Sequence, residues 1–140
     1  MIHFHPIELY PPAMNLIQYL SDYSDKKIYV ITNKAVSERI KSKVKYSSER
    51  VSIYRLSSIK YAGFFRILGY LKYHLFAFFI LILHRPTNVL YFETISSWPA
   101  LLYKLLRRKK VKLMVHYHEY VSPDEYRKGM KLVILFHQLE

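Results

Sequence analysis

Cysteine is absent from this 140-residue chain. That removes disulfides, thiolate metal centres and cysteine nucleophiles, and it fits a reducing compartment. Glycine is scarce, with three in total. No Gly-x-Gly-x-x-Gly, phosphate-binding loop or Gly-x-Ser-x-Gly elbow is present, so dinucleotide, P-loop and serine-hydrolase readings have no backbone to rest on. Acids are scarce too: 10 Asp+Glu stand against 22 Lys+Arg, for a formal charge of +12. An excess of that size favours an anionic partner, whether phospholipid, nucleic acid or a phosphorylated small molecule. Long apolar runs are also missing. The longest, Leu75–Leu83, has nine residues, whereas a bilayer-spanning helix needs about 20. The segment Met1–Pro12 has no basic leader ahead of an apolar core, so it does not read as a secretory signal.

What is present is a foldable core. The hydrophobic fraction is 51% and the aromatic fraction 16%, with 14 tyrosines. A chain of this length is most simply one domain, and tyrosine suits half-buried surfaces and interfaces, being apolar in body and polar at its tip.

Along the chain, strand-like and helix-like segments alternate. Ile2–His5 reads as a first strand. Pro11 and Pro12 introduce a helix in which Met14, Ile17 and Leu20 recur at helical spacing. Lys26–Lys34 holds a β-branched apolar run bounded by polar residues, as a buried strand should. A weak basic helix over Ala35–Val44 and a strand over Arg50–Ser57 follow. Asn88–Thr94 is another apolar run ending in a polar corner. Ser96–Lys110 has serine at its start, proline in its first turn and a cationic end, which suits a helix dipole. Val111–Glu119 is the next strand, and Ser122 with Glu125 forms a capping box around Pro123 for a last helix. This order predicts an α/β domain, a Rossmann-like parallel sheet with helices on both faces. The chain stops at Glu140 with that helix barely finished, so residues 1–140 are expected to be one domain, incomplete at the C-terminus.

Lys60–Pro86 is the most apolar stretch, and Arg66, Lys72 and His74 interrupt it. It reads as a long core helix, hydrophobic nearly all round, or as an interfacial helix. In the second case its aromatics Phe64, Phe65, Tyr70 and Tyr73 enter the headgroup layer, while Lys60, Arg66 and Lys72 meet anionic lipid. The two readings are compatible. The basic run Arg107–Lys112 is best taken as a solvated helix end. No recognition-helix pattern, zinc-ligand set or RNA-binding aromatic signature accompanies it, so nucleic acid is not an expected partner.

The densest polar cluster is Val115–Tyr126, where His116, His118 and Glu119 fall within four residues. His116 and His118 share a strand face, but zinc centres take three or four ligands and no third is evident, so no metal is assigned. Position offers a better reading. In open parallel sheets, ligands bind beyond the carboxyl ends of the strands. His118 and Glu119 lie at such an end, before a helix N-terminus that favours anions. Glu93 and Thr94 occupy the corner after the preceding strand, and His5 the corner after the first.

The stretch "NVLYFETISSWPALLYKLLRRKKVKLMVHYHEYVSP" resembles the N-terminal half of GT-B glycosyltransferases of the glycosyl transferase 4 kind. There, a strand ending in a polar corner leads to a helix starting near a Pro-Ala step, then a basic stretch, then a strand ending in "HD" or "HE". The matching positions are Glu93, Pro99–Ala100 and His118–Glu119, and the opening "HFHPIELYPPAMNLIQYL" is similar to that family's first strand and helix. The resemblance implies two Rossmann-like domains across a cleft, this one gripping the acceptor and a C-terminal one holding a nucleotide-sugar. It implies His118 and Glu119 as catalytic contacts, with Glu93, Thr94 and His5 binding substrate and no cofactor held in this half. It also implies a peripheral position on the cytoplasmic membrane face, through Lys60, Arg66 and Lys72. The implied partners are a nucleotide-sugar, a glycan or lipid-linked acceptor, and anionic membrane. Two departures stand out: the first loop, "PIELYPP", lacks the family's glycines, and the paired-glutamate donor domain is absent. This chain alone is therefore expected to be inactive. The alternative is a non-enzymatic, membrane-associated α/β subunit that recruits a separate catalytic chain.

Overall fold

The structure, a computed structural model, describes residues 1–34, 49–57 and 64–117. Five parallel strands form one sheet: β1 (Ile2–His3), β2 (Ile28–Asn33), β3 (Val51–Leu56), β4 (Asn88–Phe92) and β5 (Lys112–His116), in the order β3-β2-β1-β4-β5. Helices α1 (Pro11–Tyr23), α2 (Phe64–His84) and α3 (Ser97–Arg107) occupy the connections. This is the Rossmann-like α/β architecture that the alternating pattern predicts. The expected basic helix over 35–44 and capped helix after Ser122 lie outside the described residues.

The chain divides into two compact units, Met1 with His3–Tyr73, and Ile2 with the chain from His74 onward. In the first, β2 pairs with β3 from Ile28↔Val51 to Asn33↔Leu56. Val30, Ile31 and Thr32 are fully or almost fully buried, which is why β2 reads as a continuous apolar run rather than an alternating one. α1 starts with Pro11 and Pro12, whose fixed φ suits a first turn that needs no N–H partners. It buries Ala13, Ile17 and Ser21, one residue per turn. Fully burying a side chain such as Ile17 is worth about 1.5–3 kcal/mol. Tyr73 of α2, expected among headgroup-facing aromatics, is instead fully buried. It donates its hydroxyl to the Ile31 carbonyl at 3.1 Å, and burial pushes its phenol pKa far up, so it stays a neutral donor.

In the second unit, β4 pairs with β5 from Asn88↔Lys112 to Phe92↔His116, and Ile2 pairs with Tyr91. α3 buries Pro99, Ala100 and Tyr103, and the Tyr103 hydroxyl donates to the Pro86 carbonyl at 3.1 Å. The expected serine cap takes another form. Ser96 occupies the N-cap position without a side-chain capping bond, and the Ser97 hydroxyl instead donates to the Thr94 carbonyl at 2.7 Å. The cationic end is as expected: Lys104 in the last turn donates its ammonium to the Val111 carbonyl.

α2 is one uninterrupted helix of 21 residues. The window Ile67–His84 within it is long and apolar enough to cross a membrane by length and composition, with a third of that window buried.

Candidate functional site

The carboxyl edge of β4 carries one of three non-glycine residues with positive φ among the described residues, the others being Arg85 and Arg108. At Glu93 the chain takes φ 57° and ψ 156°, a region occupied almost exclusively by glycine, because a Cβ there crowds the backbone; such residues cost about 1–3 kcal/mol. The turn is held from several sides. The Glu93 N–H donates to the His116 carbonyl at 3.1 Å, and its own carbonyl accepts the Ser96 N–H at 3.0 Å. Thr94–Ser96 then form one 3₁₀ turn leading into α3.

A side chain from α2 completes the support. His74, 5% exposed, places Nε2 2.9 Å from the Ile95 carbonyl. A carbonyl can only accept, so Nε2 carries the proton in this contact. Its ring meets Trp98 edge-on, with centroids 5.8 Å apart. His116, ending β5, lies 5.3 Å from the Phe92 ring. Glu93, a half-buried residue, thus sits at the carboxyl end of the sheet, just ahead of the positive end of α3. A carboxylate can accept hydrogen bonds from hydroxyls and orient them.

Of the expected site residues, Glu93 and Thr94 sit together in this turn, Thr94 buried and Glu93 half-buried. The end of β5 reaches the same turn through the His116 carbonyl. His118 and Glu119, two and three residues beyond His116, lie outside the described residues. Lys60 and the side chain of Arg66 do as well, whereas Lys72 is exposed on α2.

His5 belongs to the first unit. Its side chain is exposed, and its carbonyl is tied down, accepting from Thr32 Oγ1 at 2.7 Å and His3 Nδ1 at 2.6 Å. The Thr32 hydroxyl also accepts the Ile7 N–H at 3.1 Å, so one buried threonine fixes the turn after β1. On that turn Glu8 pairs with Arg55 of β3 at 2.6 Å, the Glu8 side chain being only 5% exposed. Asn33, ending β2, donates Nδ2 to the Phe4 carbonyl at 2.7 Å. Its Oδ1 and Glu8 Oε2 are buried without a hydrogen-bond partner. Among the described residues no group of three or more His, Asp or Glu could hold a metal ion.

Sequence reasoning marks His74 only as an interruption of an apolar stretch, and it passes over Asn33 and the Glu8–Arg55 pair. His74 had a visible signal, a polar residue in an apolar helix, which is worth matching to a partner because a buried imidazole needs one. Asn33 and the pair had none, since their partners are 29 and 47 residues away.

Set against protein-family models, curated proteins and solved structures, the chain matches none of them.

Proposed function

We propose that this chain is the acceptor-side domain of a glycosyltransferase. The full reaction moves a sugar from a nucleotide-sugar to a lipid-linked or polysaccharide acceptor at the cytoplasmic membrane face. The observation that carries the reading is Glu93, a carboxylate held in a glycine-only conformation at the carboxyl edge of a parallel sheet. Strain of this kind gathers at ligand-binding and catalytic points, and ligands of open α/β sheets bind beyond the strands' carboxyl ends. The sugar-transfer chemistry itself comes from the family resemblance of Asn88–Pro123. In this reading Glu93 and Thr94 orient an acceptor hydroxyl, and the family resemblance adds His118 and Glu119 as catalytic contacts. Catalysis is by positioning and electrostatics, with the donor held by a second domain or chain.

The test is saturation-transfer NMR on the full chain with neutral saccharides and sugar phosphates as probes. Binding is expected, weakened at least about tenfold in Glu93→Gln, which keeps the shape and removes the charge; that factor is the size of one hydrogen bond to a charged group. Equal binding by both proteins, or none by either, would remove Glu93 from the site and the proposal with it.

A further inference from the structure

α2 has two apolar faces, and only one is packed. Tyr73, Ala77, Ile80 and Leu81 are buried and fall within about 100° of arc at 3.6 residues per turn. Leu68, Leu71, Leu75, Phe79, Ile82 and Leu83 are 37–62% exposed and fall on an arc of about 120° on the other side. From Leu68 to Leu83 this stripe runs about 22 Å at 1.5 Å per residue. Contiguous exposed apolar surface of this kind marks an interaction site.

Charge decides what it meets. Between Glu49 and Glu93 the sequence has no Asp or Glu, so α2 carries no acid, while Arg66 and Lys72 lie within it and Arg85 follows it. Lys72, exposed, lies inside the apolar arc, between Phe79 and Leu83 in angle. In the dry centre of a protein–protein contact an ammonium there would be desolvated without a counter-charge, and lysine is depleted from such centres. At a bilayer surface the same lysine runs its stem along the apolar face and leaves its head among phosphates. A spanning orientation is disfavoured, because crossing would strip α2 of the bonds from Tyr73 to the Ile31 carbonyl and from His74 to the Ile95 carbonyl.

We propose that the outward face of α2 lies flat in the headgroup region of an anionic phospholipid bilayer, with Leu71, Leu75 and Phe79 at its centre and Lys72 and Arg85 meeting lipid phosphate. This rests on the membrane location of the sugar-transfer reading, expected through Lys60, Arg66 and Lys72, and narrows it to the outward arc of α2. It depends on lipid binding alone, whereas that reading depends on saccharide binding at Glu93, so the two fail separately.

The experiment is co-sedimentation of the full chain with vesicles of phosphatidylcholine alone and of phosphatidylcholine containing phosphatidylglycerol. Binding is expected on the anionic vesicles and to fall with added salt. Lys72→Glu should lower it at least about fivefold, the size of one cation near an anionic surface, and Leu75→Glu with Phe79→Glu at least about tenfold. A second measurement keeps charge off the helix. The chain has no cysteine, so Phe79→Cys can carry an environment-sensitive dye whose emission should shift blue on anionic vesicles, while the dye on Lys26→Cys should not shift. No vesicle binding, or binding indifferent to both the Leu75/Phe79 change and the dye position, overturns the proposal. So does a dimer in solution that the Leu75/Phe79 change dissociates without any vesicle binding, since a second copy then covers the face.

Discussion

Glu93 has its backbone in a conformation that its own Cβ opposes, so the residue and its neighbours can be separated by substitution. Glu93→Gly removes the clash, worth about 1–3 kcal/mol, against about 0.4–1 kcal/mol of extra unfolded-chain entropy. The net expectation is a stabilisation on the order of 1 kcal/mol in urea unfolding. Glu93→Ala keeps the Cβ and should show no such gain. Equal midpoints for the two variants would mean that the corner stores no strain. A second residue-scale case is the amino terminus. The Met1 amine donates to the Tyr29 carbonyl at 2.5 Å, and burial pushes its pKa from 8.0 down to about 5. The unfolded chain therefore takes up this proton more readily than the folded one. Stability should rise as pH goes from 5 to 8, by at most on the order of 4 kcal/mol, and be flat outside that window as far as this group is concerned. A ¹⁵N titration of the Met1 amine reads the group directly; a midpoint near 8 would show that the amine is solvated in the folded chain.

Between elements, the informative contact is the ion pair joining Glu8, on the turn after β1, to Arg55 of β3. Arg55→Met strands a buried carboxylate, and breaking such a pair costs about 3–5 kcal/mol; Arg55 retains 30% exposure, which puts the expectation at the lower end. Adding Glu8→Gln should recover most of the loss, and additive costs in a urea-unfolding cycle would contradict the pairing. This contact also marks the limit of what sequence could convey. The alternation of strands and helices was legible because each element carries its own local period and punctuation. Where the strands stop was not. β1 ends at His3 because the carbonyls of Phe4 and His5 turn to the side chains of Asn33 and Thr32, and β4 ends at Phe92 because Glu93 reverses its φ. Glu93 and Thr94 could be placed at a strand end from pattern alone, but no residue type announces a glutamate in a glycine conformation. His74 interrupts the hydrophobic run in sequence, yet it is buried, its ring satisfied by a carbonyl 21 residues away. That α2 leaves one apolar face open is likewise invisible to composition, since both faces are built from the same residues.

At the scale of the whole molecule, the charge of +12 acts on the fold and on its surroundings in opposite directions. The compact state brings 22 cationic side chains near one another with 10 acids to offset them, and self-repulsion destabilises it. At 0.01 M salt the screening length is about 30 Å, and at physiological salt about 8 Å, so repulsion extends across the molecule only in the first case. Added salt should therefore raise the urea midpoint. The exposed Arg50–Asp25 pair, at 3.2 Å, loses some attraction under the same change, but such pairs contribute only about 0–1 kcal/mol and should not reverse the sign. Adsorption to anionic vesicles draws on the same cations and should weaken over the same salt range. Measured on one preparation, the expected result is a stability that climbs with salt while lipid binding falls. A midpoint that drops with salt would mean that local ion pairs outweigh the net charge.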